Sequence, residues 1–424
     1  MNLNSFSTGL AGLILGAVLG VVCSALLEDA LKDRFRLVGT LIRHSLARGT
    51  LPTPRTEFHL GNLQTSMLIL EGDGVTPINE ESVRVLVDDE KAALPDEVEG
   101  WREEIARTQA ERKENGEQHF WNGPSYAVVG LAVSREGISE TPEICLRLQS
   151  SDYYTFQATQ QLDRPMMDGT TLRTRYLSNG PEAAPAFMNC SFGTNVAMVT
   201  KDHKLVIAKR SLALGSRPGV WNSSANEALS RSLDSDGRTP PNIYNVARRG
   251  VDEELAIGRE EYRLELLAIT IDTELQQWGA AFVAYAHDLT GQDILDRRTR
   301  GAPDKWENER IEIIDFTVDE VVRCLMSPER RDNWSPMGPP LYYLALVNFY
   351  GRGFTERRSA RALRIYDRSP GSKRQASALM TYRSVRAPLR KASKGIIQTY
   401  QVAGKILSNA AALFTGSGRP DNDE

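Results

Sequence analysis

Three ionisable residues in one short stretch carry the chemistry this chain can offer. In VARRGVDEELAI (residues 246–257), Glu253 and Glu254 are adjacent and Arg249 precedes Glu253 by four positions. On a helix, residues four apart share a face, so Arg249 can orient Glu253 by an ion pair. Paired carboxylates are hard oxygen ligands of the kind that hold Mg²⁺ (or Mn²⁺). Such an ion polarises a diphosphate and helps generate hydroxide from bound water. The bland alternative is a solvated helix face. Gly250 stands inside the same stretch, where glycine costs a helix about 1 kcal/mol relative to alanine. Close packing of the helix on a strand is a structural reason for it.

Other charged residues can join this helix. Lys209 and Arg210 end an apolar run and can meet a phosphate, or they are exposed strand-end charges. Glu307 and Glu309 sit in DKWENER, just before the last apolar strand. The five histidines (44, 59, 119, 203 and 287) have no metal-ligand spacing. Neither a Gly-rich phosphate loop nor a Ser/His/Asp signature is found.

Residues 249–257, R-G-V-D-E-E-L-A-I, resemble the end of the Nudix hydrolase box, R-E-U-x-E-E-x-G-U with U apolar. Arg249, Val251, Glu253, Glu254 and Ile257 match; Gly250 replaces the first glutamate and Ala256 the glycine. Upstream, GVW (219–221) resembles the family's G-x-W lead-in, and WNSSANE (221–227) a longer W-x-x-S-x-x-E form. The usual Gly-Gly between them is missing, and the likeness covers roughly residues 190–345. The resemblance implies an α+β fold with a mixed-sheet α/β/α sandwich. It implies a Mg²⁺-dependent hydrolase of a nucleoside diphosphate linked to another moiety. Glu253 and Glu254 would be catalytic and bind the metal. A late acid, Glu307 or Glu309, would complete the metal site or act as base. Lys209, Arg210 and Arg249 would meet the substrate. Because one carboxylate is missing, the alternative is a nucleotide-sensing domain without turnover, coupled to a membrane effector helix in signalling or defence.

The surrounding pattern supplies a frame for that helix. NVAMVT-KDHK-LVIAKRS (195–211) predicts a β-hairpin with its turn at 201–204. A Gly/Ser/Asn-rich loop follows, then the acidic helix, then YRLELLAITIDTELQQWGAAFVAYAHDL (262–289) as paired strands. ERIEIIDFT predicts a strand and VDEVVRCLM a helix. Before the hairpin, TSMLIL, SYAVVGLAVS and EICLRLQ are strand-like, and DEVEGWREEIARTQAERKENGEQ is an exposed helix. SSDYYTFQATQ (151–161) reads as a strand with its turn, though its aromatic and polar residues suit a pocket wall.

Composition bounds the remainder. With 424 residues, 41% hydrophobic and 25% charged, the chain suits two or three domains. Cys23, Cys145, Cys190 and Cys324 are widely spaced and fit a reducing compartment. Residues 6–27 carry no charge, and 22 residues span about 33 Å, which predicts an N-terminal transmembrane helix. Basic residues follow it, so the body is expected on the cytoplasmic side of the cell membrane. Gly12, Gly16 and Gly20 form a GxxxG row that suits homo-oligomer contact through that helix. Between Arg357 and Lys394 twelve Lys/Arg face one acid, a net +11 that leaves −15 for the rest of a chain of net charge −4. That basic stretch and the apolar stripe Ile396, Tyr400, Ala403, Leu407 and Ala410 suit membrane lipids better than nucleic acid. The expected organisation is thus a membrane helix (6–27), a juxtamembrane linker (28–55), a β-rich accessory module (56–190), a Nudix-like domain (191–345) and a basic amphipathic tail (357–424).

Overall fold

The computed structural model describes residues 57–136 and 141–364. After a small antiparallel pair, His59–Leu60 with Leu63–Gln64, come strand β1 (Met67–Glu71), β2 (Val83–Lys91), helix α1 (Asp96–Glu114), β3 (Pro124–Glu136), β4 (Thr141–Asp152) and helix α2 (Tyr153–Thr159). The hairpin follows as β5 (Phe192–Val199) and β6 (Lys204–Arg210), with the short β7 (Trp221–Asn222) and β8 (Ala225–Ala228) after it. Helix α3 (Ile243–Leu255) leads to the paired strands β9 (Tyr262–Asp272) and β10 (Gln277–Ala286). Helix α4 (Gly291–Gly301), strand β11 (Asn308–Asp315) and helices α5 (Val318–Met326), α6 (Gly338–Tyr350) and α7 (Arg352–Leu363) complete it.

The large sheet runs β11-β6-β5-β10-β9-β1, with β8 added beside β5 and β7 beside β6. It is mixed: β10 runs parallel to β5, from Trp278 opposite Phe192 to Tyr285 opposite Val199, and the other pairs are antiparallel. A strand alternates its side chains between faces, so each apolar strand feeds two layers. On one face Val196, Met198, Val206 and Phe282 pack with Val246, Ala247 and Val251 of α3. On the other, Ala197, Leu205, Ile207 and Val283 pack with Val321, Leu325, Leu341 and Ala345 of α5 and α6. The architecture is therefore mixed α/β, with helices on both faces of one sheet.

A second sheet, β2-β4-β3, holds β2 parallel and β3 antiparallel to β4. Its Val85, Ile144, Leu146 and Leu148 belong to the same buried cluster as α3. Strand β1 is hydrogen-bonded to β9 inside the large sheet. Residues from before position 190 thus share both sheet and core with those after it.

Several expectations change. Among the described residues no helix is long and apolar enough to cross a membrane. The fold class is corrected accordingly to a mixed α/β one without a membrane-spanning helix among the described residues, and the single-pass membrane location is not carried forward; the row of Gly12, Gly16 and Gly20 lies outside the described residues. Residues 6–27, the linker 28–55 and the tail beyond residue 364 lie outside the described residues. SSDYYTFQATQ is not a strand and turn. Strand β4 ends at Asp152, whose carboxylate accepts the Thr155 backbone N–H and caps α2. Two tyrosines, a phenylalanine and two threonines favour a strand by propensity, and one N-cap overrides them.

Candidate functional site

Helix α3 starts where the Asn242 side chain accepts the Tyr244 N–H. Its buried face is Ile243, Tyr244, Val246, Ala247, Gly250, Val251, Glu254 and Leu255, an i, i+3, i+4 stripe that includes one glycine and one acid. The helix ends at Ala256, which is left-handed at φ 57°, ψ 46°. Behind this stripe lies β8. A Cβ on Gly250 would stand 2.9 Å from the Glu227 Cβ and 3.4 Å from the Asn226 carbonyl. The glycine is there because strand and helix backbones approach so closely that only one of the two positions can carry a side chain.

Glu254 is only 2% exposed. Its Oε1 accepts the Asn226 backbone N–H at 2.7 Å and the Asn226 Nδ2 at 3.1 Å. Its Oε2 accepts Asn308 Nδ2, from the first residue of β11. Burial pushes this carboxyl up to about 8, against the pull of those donors and of Arg210. Glu253, the next residue, points to a more open side. Its carboxylate lies 3.5 Å from Arg249. Arg249 is shared: it also pairs with Asp234 at 2.9 Å and Glu227 at 3.0 Å, and donates to the Ala228 carbonyl at 3.0 Å. Burial raises the Glu227 carboxyl, with Arg249 pulling the other way and Glu253 adding to the rise.

The residues expected from elsewhere in the chain separate into two groups. Arg210 closes β6 beneath the loop 211–219 and donates to Asn226 Oδ1 at 2.7 Å and the Ser216 carbonyl at 3.3 Å. Its Nε–H is buried without a protein partner, and burial works against its charge while Glu254 and Glu307 support it. Glu307 shares this neighbourhood: burial raises its carboxyl, Arg210 opposes, and Glu253 adds to the rise. Lys209 and Glu309 do not join them. They pair with each other at 2.5 Å, partly exposed. Neighbours on a strand face opposite ways, so Lys209 leaves on the face that Arg210 does not use. Expected roles for Lys209 at substrate and Glu309 at metal are therefore not supported by any contact with Glu253 or Glu254.

Four residues of this arrangement escaped the sequence: Asn226, Glu227, Asp234 and Asn308. For Glu227 a signal existed, as the last position of WNSSANE. Asn308 had none, since a lone asparagine before a strand is ordinary.

A divalent ion makes its own demands on this donor set. Magnesium needs several carboxylate or carbonyl oxygens converging on one point. Here both Glu254 oxygens are taken by amides, Glu227 and Glu253 are held by Arg249, and Glu309 by Lys209. Among the described residues no group of three or more His, Cys, Asp or Glu side chains could hold a metal ion. As arranged, the residues do not fit the ion.

No family model matches the chain, and no curated protein does. Among solved structures it is similar to a Deinococcus radiodurans protein, at 14% identity and a TM-score of 0.26, over 37% of this chain and 81% of that one. It is also similar to a MutT Nudix hydrolase from Burkholderia pseudomallei, at 20% identity and a TM-score of 0.21, over 30% of this chain and 82% of that one. Both likenesses are slight, and no residue here takes a role from them.

Proposed function

We propose that this domain binds a nucleoside diphosphate linked to another group and does not hydrolyse it. The observation that carries the reading is the closure of Glu254. A carboxylate buried to 2% exposure, with amides on both oxygens, is a structural acceptor and not an open metal ligand. The frame of the box resemblance is kept, from Trp221 through Glu227 to Arg249, Glu253 and Glu254, while its first carboxylate is absent from the helix. Arg210 supports the anion contact, because its buried Nε–H lacks the acceptor that a phosphate oxygen would supply. That contact requires the loop 211–219 to yield, since Ser216 now holds one end of the guanidinium.

Titration calorimetry with ADP-ribose tests this, once with Mg²⁺ and once with a chelator, alongside chromatography of the products. Binding should be the same in both conditions, with no product. Mg²⁺-dependent product that both Glu253→Gln and Glu254→Gln abolish would establish hydrolysis instead. One feature favours that second reading: Glu227, Glu253, Glu254 and Glu307 lie near enough to act on one another electrostatically. A cation drawn in among them would then displace Arg249.

A further inference from the structure

We infer that the acid cluster between β8 and α3 is built around Arg249 in place of a metal ion, and that Glu227 has taken over on the strand the place a side chain at position 250 would fill on the helix. The inference deepens the metal-free reading of the site and rests on it in that respect alone.

Two observations meet here. The first is steric. With the Gly250 Cβ position 2.9 Å from the Glu227 Cβ, a side chain at one position excludes an ordinary one at the other. Glycine on the helix and glutamate on the strand are then one paired choice, not two separate ones. The second is electrostatic. Arg249 reaches Asp234 at 2.9 Å, Glu227 at 3.0 Å and Glu253 at 3.5 Å. Three carboxylates from three segments converge on one guanidinium that is 17% exposed at its side chain. A fixed planar cation with five donors can serve several carboxylates at once. It does locally what a divalent ion would do, but it comes with the chain. In addition Asp234 ties the loop between β8 and α3 to the helix, so the latch joins strand, loop and helix through one side chain.

The test needs no nucleotide, so it can fail separately from the functional reading. Thermal unfolding is measured for wild type, Gly250→Ala, Glu227→Gly and the double variant. If the positions share one space, each single change should lower Tm by several degrees. The double variant should regain part of that loss, because the alanine then enters the room the strand has vacated. Additive losses would overturn the exchange. Electron paramagnetic resonance of Mn²⁺ with the wild-type protein reads the second half. The expected outcome is a free-ion signal, undiminished by protein, and a Tm that Mg²⁺ does not shift. Stoichiometric loss of the free Mn²⁺ signal, reversed by Glu227→Gln, would make Glu227 a metal ligand and overturn the latch. Glu227→Gln keeps the shape and should fold, so the readout survives even if Glu227→Gly does not.

Discussion

Replacing Glu254 with glutamine isolates the most buried carboxyl group in the site. In the unfolded chain this carboxyl titrates near its ordinary 4.5; in the fold, burial holds it up to about 8. Between those values the folded protein keeps a proton that the unfolded chain has released. Stability from this group is therefore full below about pH 4.5 and is lost as pH rises toward 8. One proton gives a slope of about 1.36 kcal/mol per pH unit. From about pH 5.5 to about 7.5, Glu254 alone should remove roughly 2.7 kcal/mol. Glutamine has the same shape and cannot ionise. The Asn226 donors can still reach its oxygen, and the Asn308 amide can turn to accept from its nitrogen. Urea unfolding at stepped pH, with chelator present, should show the variant gaining on wild type by about that amount over the interval. Glu227 and Glu307 are raised too and remain in both proteins, so the only further difference is the part of the Glu307 titration that depends on its neighbour Glu254. Parallel curves would refute the reasoning. So would a wild type that gains on the variant as pH rises, because the amides and Arg210 would then be holding Glu254 ionised.

Three further substitutions follow from the same geometry. Ser224→Ala removes a buried hydroxyl that donates to the Val206 carbonyl and accepts the Met198 N–H; the orphaned N–H should cost about 1–3 kcal/mol in urea unfolding. Lys209→Ala breaks a partly exposed pair with Glu309, so its stability change should be about 1 kcal/mol or less by the same assay. Arg210→Lys keeps the charge but shortens the planar fork that bonds Asn226 and Ser216. Calorimetry with ADP-ribose should show at least a tenfold weaker affinity, about 1.4 kcal/mol.

How much of this was legible depends on whether a pattern or a partner was being read. Elements with a strong period were visible: the hairpin turn at 201–204, the paired strands 262–272 and 277–286, the exposed helix 96–114 and the helix 318–326. Each is specified by its own residues, through apolar alternation or a helical stripe. Partners were harder. Lys209 and Arg210 look equivalent as neighbouring cations, yet strand alternation sends them to opposite faces, a rule that could have been applied from the sequence. Asn226 and Asn308 reach Glu254 from positions 28 and 54 residues away, which no local pattern shows. The membrane helix rested on one uncharged run that lies outside the described residues, and among the described residues no helix is long and apolar enough to span a bilayer.

The W-x-x-S-x-x-E spacing has a physical account that does not depend on ancestry. Trp221 stacks its ring beneath Arg330, 4.3 Å from its centroid, and beside Trp334. Three residues on, Ser224 ties β5 to β6. Three further, Glu227 fills the space against Gly250 and holds Arg249. One short segment thus sets the packing beside α5 and α6, the join between β5 and β6, and the contact with α3 in turn.

The two glycine substitutions in the box then have opposite meanings. Glycine gained at 250 is imposed by packing. Glycine lost at 256 is a conformational cost, because Ala256 sits at φ 57°, ψ 46°, where a Cβ crowds the following carbonyl. That geometry costs an L-residue about 1–2 kcal/mol, and glycine avoids it. Glycine gives back about 0.4–1 kcal/mol through the freedom it adds to the unfolded chain. Ala256→Gly should therefore stabilise the protein by roughly 0.5–1 kcal/mol. The C-cap hydrogen bond from the Ala256 N–H to the Asp252 carbonyl, 2.9 Å, is a backbone contact that either residue can make. Urea unfolding of both proteins at one fixed pH reads the change, because Glu254 is common to the two and cancels. A loss of stability on Ala256→Gly would mean that the alanine methyl makes packing contacts worth more than the strain. The helix end would then be held by tertiary packing and not by the cap.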